Sequence, residues 1–310
     1  MNVSIIVPVY NSSSFINKLL IAIDNERVKN NWSLELILVD DGSKDSSYEK
    51  ILSLSGNYPY LKALKLSRNF GHQYAVKTGL SYSTGDYVAI IDDDLQDPPY
   101  LLPGFFKYLE EGFDVAYGVR KKRKESFFKK ASYNIFYRVL RRMSEIEIPL
   151  DTGDFCVMKR NVVESMLKLN EKNPFLRGIR AWVGFNQIGV EYERSSRVDG
   201  ESGYTLTKLL KIAIDGIFSF SNMPIRVISF LGFIGLFFSF AYTSLLLYAK
   251  LFNNIPVPGF TTLSLLIIFF GSLTIICLGI IGEYIVRIYD ESRRRPDSVI
   301  AAFHNIAIKR

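Results

Sequence analysis

Tyr87-Val88-Ala89-Ile90-Ile91-Asp92-Asp93-Asp94-Leu95-Gln96-Asp97-Pro98-Pro99 runs from a short apolar stretch straight into four carboxylates within six residues. The apolar part, Tyr87–Ile91, reads as a buried strand closed by polar residues and proline. The same junction occurs three times upstream. Val3–Val9 ends at an Asn-Ser-Ser-Ser loop, and Leu34–Val39 ends at Asp40-Asp41-Gly42-Ser43. Leu61–Leu66 ends at Ser67-Arg68-Asn69-Phe70-Gly71-His72. Helical spacing fills the intervals over Phe15–Val28, Ser47–Leu54 and Gln73–Ser83. Near-continuous apolar strands alternating with helices predict an α/β fold with a mostly parallel sheet covered on both faces. Ligands of such sheets bind beyond the carboxyl ends of the strands, where all four polar clusters stand.

Farther along, Asp114–Gly118 and Thr152–Met158 read as further strands, and Val162–Leu169 as a helix. Between them, Arg120 to Lys130 holds seven basic residues in eleven, followed by a basic and aromatic helix through Tyr133, Phe136, Tyr137, Arg138, Arg141 and Arg142. Ser202–Phe220 reads as an amphipathic helix. The chain has 310 residues, a net charge of +7 and 48% apolar residues, which excludes a disordered polar chain, a collagen-like chain and a small disulfide scaffold. Only Cys156 and Cys277 are present, so neither a disulfide framework nor a cysteine zinc site is expected. The N-terminus lacks a basic region before its short apolar stretch, so a buried strand is expected there in place of a signal peptide.

Val227–Ala249 is 23 residues without a charge, and Thr261–Gly282 is 22. Each is long enough to span a hydrocarbon core of about 30 Å. Lys208, Lys211 and Arg226 precede the first run, and Arg287, Arg293, Arg294 and Arg295 follow the second, while the link carries only Lys250. The positive-inside bias puts both flanks in the cytoplasm. The expected organisation is therefore a cytoplasmic globular domain over 1–200, an interfacial region over 201–224, two membrane helices within 225–289 and a cytoplasmic tail over 290–310. The expected location is the inner or plasma membrane.

The acidic cluster carries the chemistry. On an extended strand end, Asp92, Asp94 and Gln96 would point the same way and offer hard oxygen ligands to Mg²⁺ or Mn²⁺. Asp97 reads instead as an N-cap, with Pro98 at the first helical position. Asp40 could accept from a nucleobase N–H or a ribose hydroxyl, and a plain Asp-Gly turn is the other reading. Tyr10 could flank a flat base or pack in the core. The basic stretch suits an anionic lipid surface or phosphate. No nucleic-acid-binding motif accompanies it, so nucleic acid is not an expected partner. His72 reads as a structural loop residue.

Four segments stand in one order: Pro8-Val9-Tyr10-Asn11, Asp40-Asp41-Gly42-Ser43, Ser67-Arg68-Asn69-Phe70-Gly71-His72 and Asp92-Asp93-Asp94-Leu95-Gln96-Asp97-Pro98-Pro99. That order resembles the inverting family 2 glycosyltransferases of GT-A fold. Within these it resembles the polyprenyl-phosphate branch, the dolichol-phosphate mannose synthases and bactoprenol glucosyltransferases. The bacterial type also shows Gly153-Asp154-Phe155, Gly200-Glu201-Ser202 and a tail like Gly282-Glu283-Tyr284 with Arg287-Ile288-Tyr289. The resemblance implies that Asp40 reads the base, with Pro8, Tyr10, Asn11, Asp41, Arg68, Asp92 and Asp93 around the nucleotide-sugar. It implies a metal–diphosphate on Asp92, Asp94 and Gln96, and a lipid phosphate met by Arg120, Lys121, Arg123, Arg138 and Ser202. Asp94, Arg120 and Asp154 would form the catalytic set.

Two positions depart from that pattern: Cys156 and Gly203 stand where the family carries Arg and Lys. The resemblance implies a UDP-sugar donor, UDP-glucose or a relative, and an undecaprenyl phosphate acceptor. A phosphate monoester, with its second pKa of about 6, is already largely an oxyanion at neutral pH, so Asp154 need not be a base. A homo-oligomer such as a tetramer is expected from the small helix bundle, with a separate flippase. The competing readings are a processive polysaccharide synthase and an inactive membrane scaffold.

Overall fold

The computed structural model describes residues 1–120, 152–169, 171–172, 174–193 and 259–306, with scattered positions between 230 and 252. The strands are β1 (Asn2–Val9), β2 (Ser33–Asp40), β3 (Leu61–Leu66), β4 (Tyr87–Ile90), β5 (Val115–Arg120), β6 (Thr152–Lys159), β7 (Gln187–Tyr192) and β8 (Ile300–His304). The helices are α1 (Ile16–Lys29), α2 (Ser47–Ser55), α3 (His72–Tyr82), α4 (Leu102–Glu110), α5 (Arg160–Leu167), α6 (Leu176–Trp182) and α7 (Phe260–Ser292). The eight strands form one sheet in the order β7-β5-β6-β4-β1-β2-β3-β8.

The centre is parallel, as the apolar runs predict: β1 pairs with β2 and β4, and β2 with β3. The wing is mixed. β6 inserts between β4 and β5, antiparallel to both, and β7 lies parallel to β5. Strand alternation sorts the core into two layers. Ile5, Val7 and Leu38 pack with Leu19 and Ile23 of α1 and Phe105 of α4. Ile6, Ile37 and Val39 pack with Val76 of α3, Val163 of α5 and Ile179 of α6. Burial on both faces is why β1 and β2 are near-continuous apolar runs.

The described residues belong to two compact units. The first is Met1–Tyr137 with Ile146–Gly203 and Arg295–Arg310, and the second is Arg138–Glu145 with Tyr204–Arg294. The segment expected as a tail thus returns to the first unit. There β8 pairs antiparallel with β3, and Asp297 meets Lys77 of α3 at 2.7 Å.

In the second unit, α7 extends the expected Thr261–Gly282 run to Ser292. Within it Phe269–Ser292 has a mean hydropathy of 1.9 and is long and apolar enough to cross a membrane. Side chains such as Ile275, Leu278 and Ile288 are exposed along it. Of the run Val227–Ala249 only scattered positions are described, each of them helical. The Ser202–Phe220 helix and the basic stretch after Arg120 lie outside the described residues.

Candidate active site

The acidic cluster is a turn, which corrects the extended geometry expected of it. β4 ends at Ile90, and Leu95 is left-handed with φ 56°. Alternate side chains therefore share no strand face. Two carboxylates are held by backbone: Tyr10 N–H donates to Asp93 Oδ2 at 3.4 Å, and Gln96 N–H donates to Asp94 Oδ1 at 3.1 Å. The Gln96 side chain is buried. Asp97 does not cap a helix, a second correction. The helical turn begins at Pro99 with Pro98 before it, and Asp97 is buried, accepting a hydrogen bond from the Tyr192 hydroxyl. Burial raises Asp92 well above the usual carboxylate range. The charges of Asp97, Asp154 and Asp94 add to this, and His72 opposes it.

The loops after β1, β2 and β3 are stitched to one another. Asn11, left-handed at φ 53°, accepts from Lys44 N–H at 2.8 Å, and its own N–H donates to Ser43 Oγ at 3.0 Å. Asp41 accepts from Phe70 N–H at 2.7 Å and Gly71 N–H at 2.9 Å, so both its oxygens hold the following loop. Gly42 is left-handed, and a Cβ there would collide with the Arg68 backbone, which requires glycine at that turn. Asp40 is fully buried at the end of β2. Ser43 N–H reaches its Oδ1 at 3.3 Å, while Oδ2 has no hydrogen-bond partner among the described residues. Burial raises its pKa. Pro8 is buried within β1, opposite Val39. Tyr10 is 43% exposed, which removes the core-packing reading. Arg68 stacks over Phe70 with 4.0 Å from Cζ to the ring centre.

Asp154, on β6, gathers partners from two helices, α3 and α6. Arg177 Nε donates to Oδ1 at 3.0 Å, and Gln73 Nε2 to Oδ2 at 2.8 Å. His72 Nε2 lies 3.1 Å from Oδ2 and 3.8 Å from Asp92 Oδ1, linking β6 to the acidic turn. Burial alone would raise the Asp154 pKa, but the charge of Arg177 and the bond from His72 outweigh it and hold the carboxyl well below its usual range. Burial disfavours the His72 cation, yet its bond to Asp154 and the two nearby carboxylates raise its pKa to about 9. His72 opens α3 and contacts carboxylates of two other segments. Gln73 and Arg177 carry no local signal, since their tie to Asp154 spans 81 and 23 residues.

Arg120 ends β5 over Gly153, where a Cβ would lie 2.7 Å from its Nη2. Cys156 is buried near Arg180, whose guanidinium lies over the Tyr117 ring at 4.6 Å. Arg177, Arg180, Asp154 and Cys156 line one small cavity, so α6 brings two cations beside Cys156.

Residues 4–167 match the family model for glycosyl transferase family 2. The chain belongs to that family. A protein of Bacillus subtilis named uncharacterized glycosyltransferase YkcC is 43% identical over 99% of this chain and 95% of its own length. The bactoprenol glucosyl transferase of Shigella phage SfV is 35% identical over 97% of this chain and 98% of its own length. Among solved structures, a mannosyltransferase from Pyrobaculum calidifontis, in complex with GDP-Man and Mn²⁺, is 23% identical. It covers 66% of this chain and 58% of its own, with a TM-score of 0.46.

For a family 2 site, the donor set at the end of β4 is chemically suited to a hard divalent cation. Among the described residues no three His, Cys, Asp or Glu side chains form a ready metal-binding group. Magnesium is ordinarily held by one or two carboxylates together with substrate phosphates, so Asp92 and Asp94 fit that mode without a preformed cage. Lys121, Arg123, Arg138, Ser202 and Gly203 lie outside the described residues.

Proposed function

We propose that this chain transfers one sugar from a nucleotide-diphospho-sugar to a polyprenyl phosphate at the cytoplasmic face of a membrane. A UDP-sugar such as UDP-glucose is the proposed donor and undecaprenyl phosphate the proposed acceptor. The observation that carries the reading is the reach of the likeness. The family match ends at residue 167, whereas similarity to the phage bactoprenol glucosyl transferase runs over 97% of the chain, its apolar C-terminal part included.

The residues support the donor half. Asp40 Oδ2 is a buried acceptor with no partner among the described residues. Such an oxygen is costly to bury unless a donor arrives, and a nucleobase N–H is such a donor. Exposed Tyr10 follows Val9, which pairs with Asp40 across β1 and β2, and offers a ring face. Asp92 and Asp94 would hold Mg²⁺ or Mn²⁺, with the Gln96 N–H fixing Asp94. A cation there would stabilise the charge that builds on the leaving diphosphate.

The acceptor half follows from charge. A lipid phosphate oxygen, already anionic, attacks the anomeric carbon in line and inverts it. Asp154, held ionised far below neutrality, is a weak base, and its bonds to His72, Gln73 and Arg177 suit a positioning task. Arg120, about one-third exposed, offers a cation where two anions must meet.

Connectivity supports two membrane crossings. β1 and β8 belong to one sheet, so the chain on either side of the second unit lies on one side of any membrane it crosses. If α7 crosses once, a second crossing must precede it, and Val227–Ala249 is the charge-free run available. The flanking cations favour the cytoplasm for that side.

The test is incubation of the detergent-solubilised protein with undecaprenyl phosphate, Mg²⁺ or Mn²⁺, and a panel of UDP- and GDP-sugars. Mass spectrometry of the organic phase follows, with Asp94→Asn as control. A lipid heavier by one sugar, absent with the variant, is the expected result. A folded, nucleotide-binding protein that yields no product from any donor would overturn the reading.

A further inference from the structure

Tyr192 carries no sequence signal, yet the donor-side turn and the acceptor-side cation meet on its hydroxyl. It closes β7 beside Arg120, the last residue of β5, in parallel register. Its ring is 4% exposed and packs edge-on against Phe155, with 5.4 Å between ring centres. Gly118 permits this packing. A Cβ there would lie 2.6 Å from Tyr192 Cε1 and 2.9 Å from Phe155 Cδ1.

With the ring so confined, the hydroxyl is fixed in place. It donates to Asp97 Oδ1 and accepts from Arg120 Nε at 3.5 Å. Asp97 Oδ2 lies 4.0 Å from Arg120 Nη2. The same Nη2 lies over Gly153, one residue before Asp154. An arginine side chain is flexible, and its planar fork gives directional recognition of phosphate only when its orientation is set. Here a hydroxyl, a carboxylate and a glycine set it. Asp97 also ends the acidic turn, so the same contacts tie that turn to Arg120.

We infer that Tyr192 and Asp97 form a latch that orients the Arg120 guanidinium toward the phosphate of the acceptor. Tyr192 is then a positioning residue that acts through Arg120. This rests on the proposed function for the identity of the phosphate. Tyr192→Phe separates the latch from packing, because it keeps the ring against Phe155 and removes only the polar contacts.

Initial rates of the full-length protein in detergent test this, with undecaprenyl phosphate and the nucleotide-sugar varied in turn. Tyr192→Phe is expected to raise KM for the lipid phosphate about tenfold, the scale of one hydrogen bond to a charged group, with the donor KM within about twofold of wild type. In an Arg120→Ala background, adding Tyr192→Phe is expected to change nothing further. An undiminished effect in that background, or an equal loss on both substrates, overturns the latch and leaves Tyr192 as packing. If Tyr192→Phe does not fold, Asp97→Asn, which keeps an oxygen for the tyrosine, is read in the same cycle with the same expectations. A wild-type protein that transfers nothing overturns the proposed function and this inference together, and is recognised without any variant.

Discussion

The strand ends of β1, β2 and β4 and the wing formed by β5, β6 and β7 bear similar charged chemistry, assembled in different ways. At the strand ends Asp40 and Asp41 are adjacent, and Asp92, Asp93 and Asp94 are consecutive. In the wing, Arg120, Asp154, Arg177 and Tyr192 come from four segments and meet only because β6 returns antiparallel between β4 and β5. The first region is a property of local sequence and the second of topology. The strand ends should therefore fail by losing a charge needed for chemistry, and the wing by losing the partners of its buried carboxylates.

The largest expected effect belongs to the acidic turn. Asp94→Asn is expected to lower turnover by about a hundredfold or more while the melting temperature stays near wild type, since the site loses an electrostatic stabiliser and no packing. Rates and thermal unfolding of the same preparation check this. A parallel fall in both would erase the contrast with the wing.

In the wing the order reverses. Arg177→Ala leaves Asp154 buried without its main counter-charge. Breaking a fully buried pair costs about 3–5 kcal/mol, and because Arg177 is 34% exposed, a loss of about 2 kcal/mol is expected here. Denaturant unfolding in detergent measures it, and Arg177→Lys should recover part. A fully stable Arg177→Ala protein would mean that His72 and Gln73 suffice to hold Asp154.

Backbone geometry comes next. Gly42→Ala places a Cβ against the Arg68 backbone in a left-handed turn, and a loss of about 1–2 kcal/mol is expected from the strained conformation. Unchanged stability would show that the loops after β2 and β3 can separate.

The smallest effect lies away from both regions. Glu35 of β2 accepts from Ser4, Lys62 and Thr84. Burial works to raise its pKa, but these bonds lower it below its ordinary 4.5. Its contribution is therefore present above about pH 4.5 and is lost as pH falls through the lower folded value. Glu35→Gln should cost about 1 kcal/mol near neutral pH, and the difference from wild type should vanish in acid. A difference that does not change with pH would remove the ionic part of this contact.

The parallel centre was legible because β1 and β2 are buried on both faces and so read as near-continuous apolar runs, broken only by Ser4 and Glu35 within them. The acidic cluster was legible as chemistry but not as geometry. Nothing local announces that Leu95 adopts φ 56° and turns an extended end into a bend. Asp97 looked like a helix cap because Pro98 follows it, and its tyrosine partner stands 95 residues away. β8 was hidden for a similar reason. Ile300-Ala301-Ala302-Phe303-His304 is too short to mark itself as a strand, and pairing with β3 makes it one. His72 could have been read as functional from its place beside a strand end, but its two carboxylate neighbours come from β6 and the acidic turn.

The division of labour between the two regions is tested most directly by a split of KM values. Asp40→Asn and Arg120→Lys are compared with wild type, varying nucleotide-sugar and undecaprenyl phosphate separately. The expected result is a raised donor KM for Asp40→Asn and a raised lipid-phosphate KM for Arg120→Lys, each at least about fivefold, with the other constant little changed. Both variants shifting the same constant, or both constants together, would contradict a donor site at the strand ends facing an acceptor site on the wing.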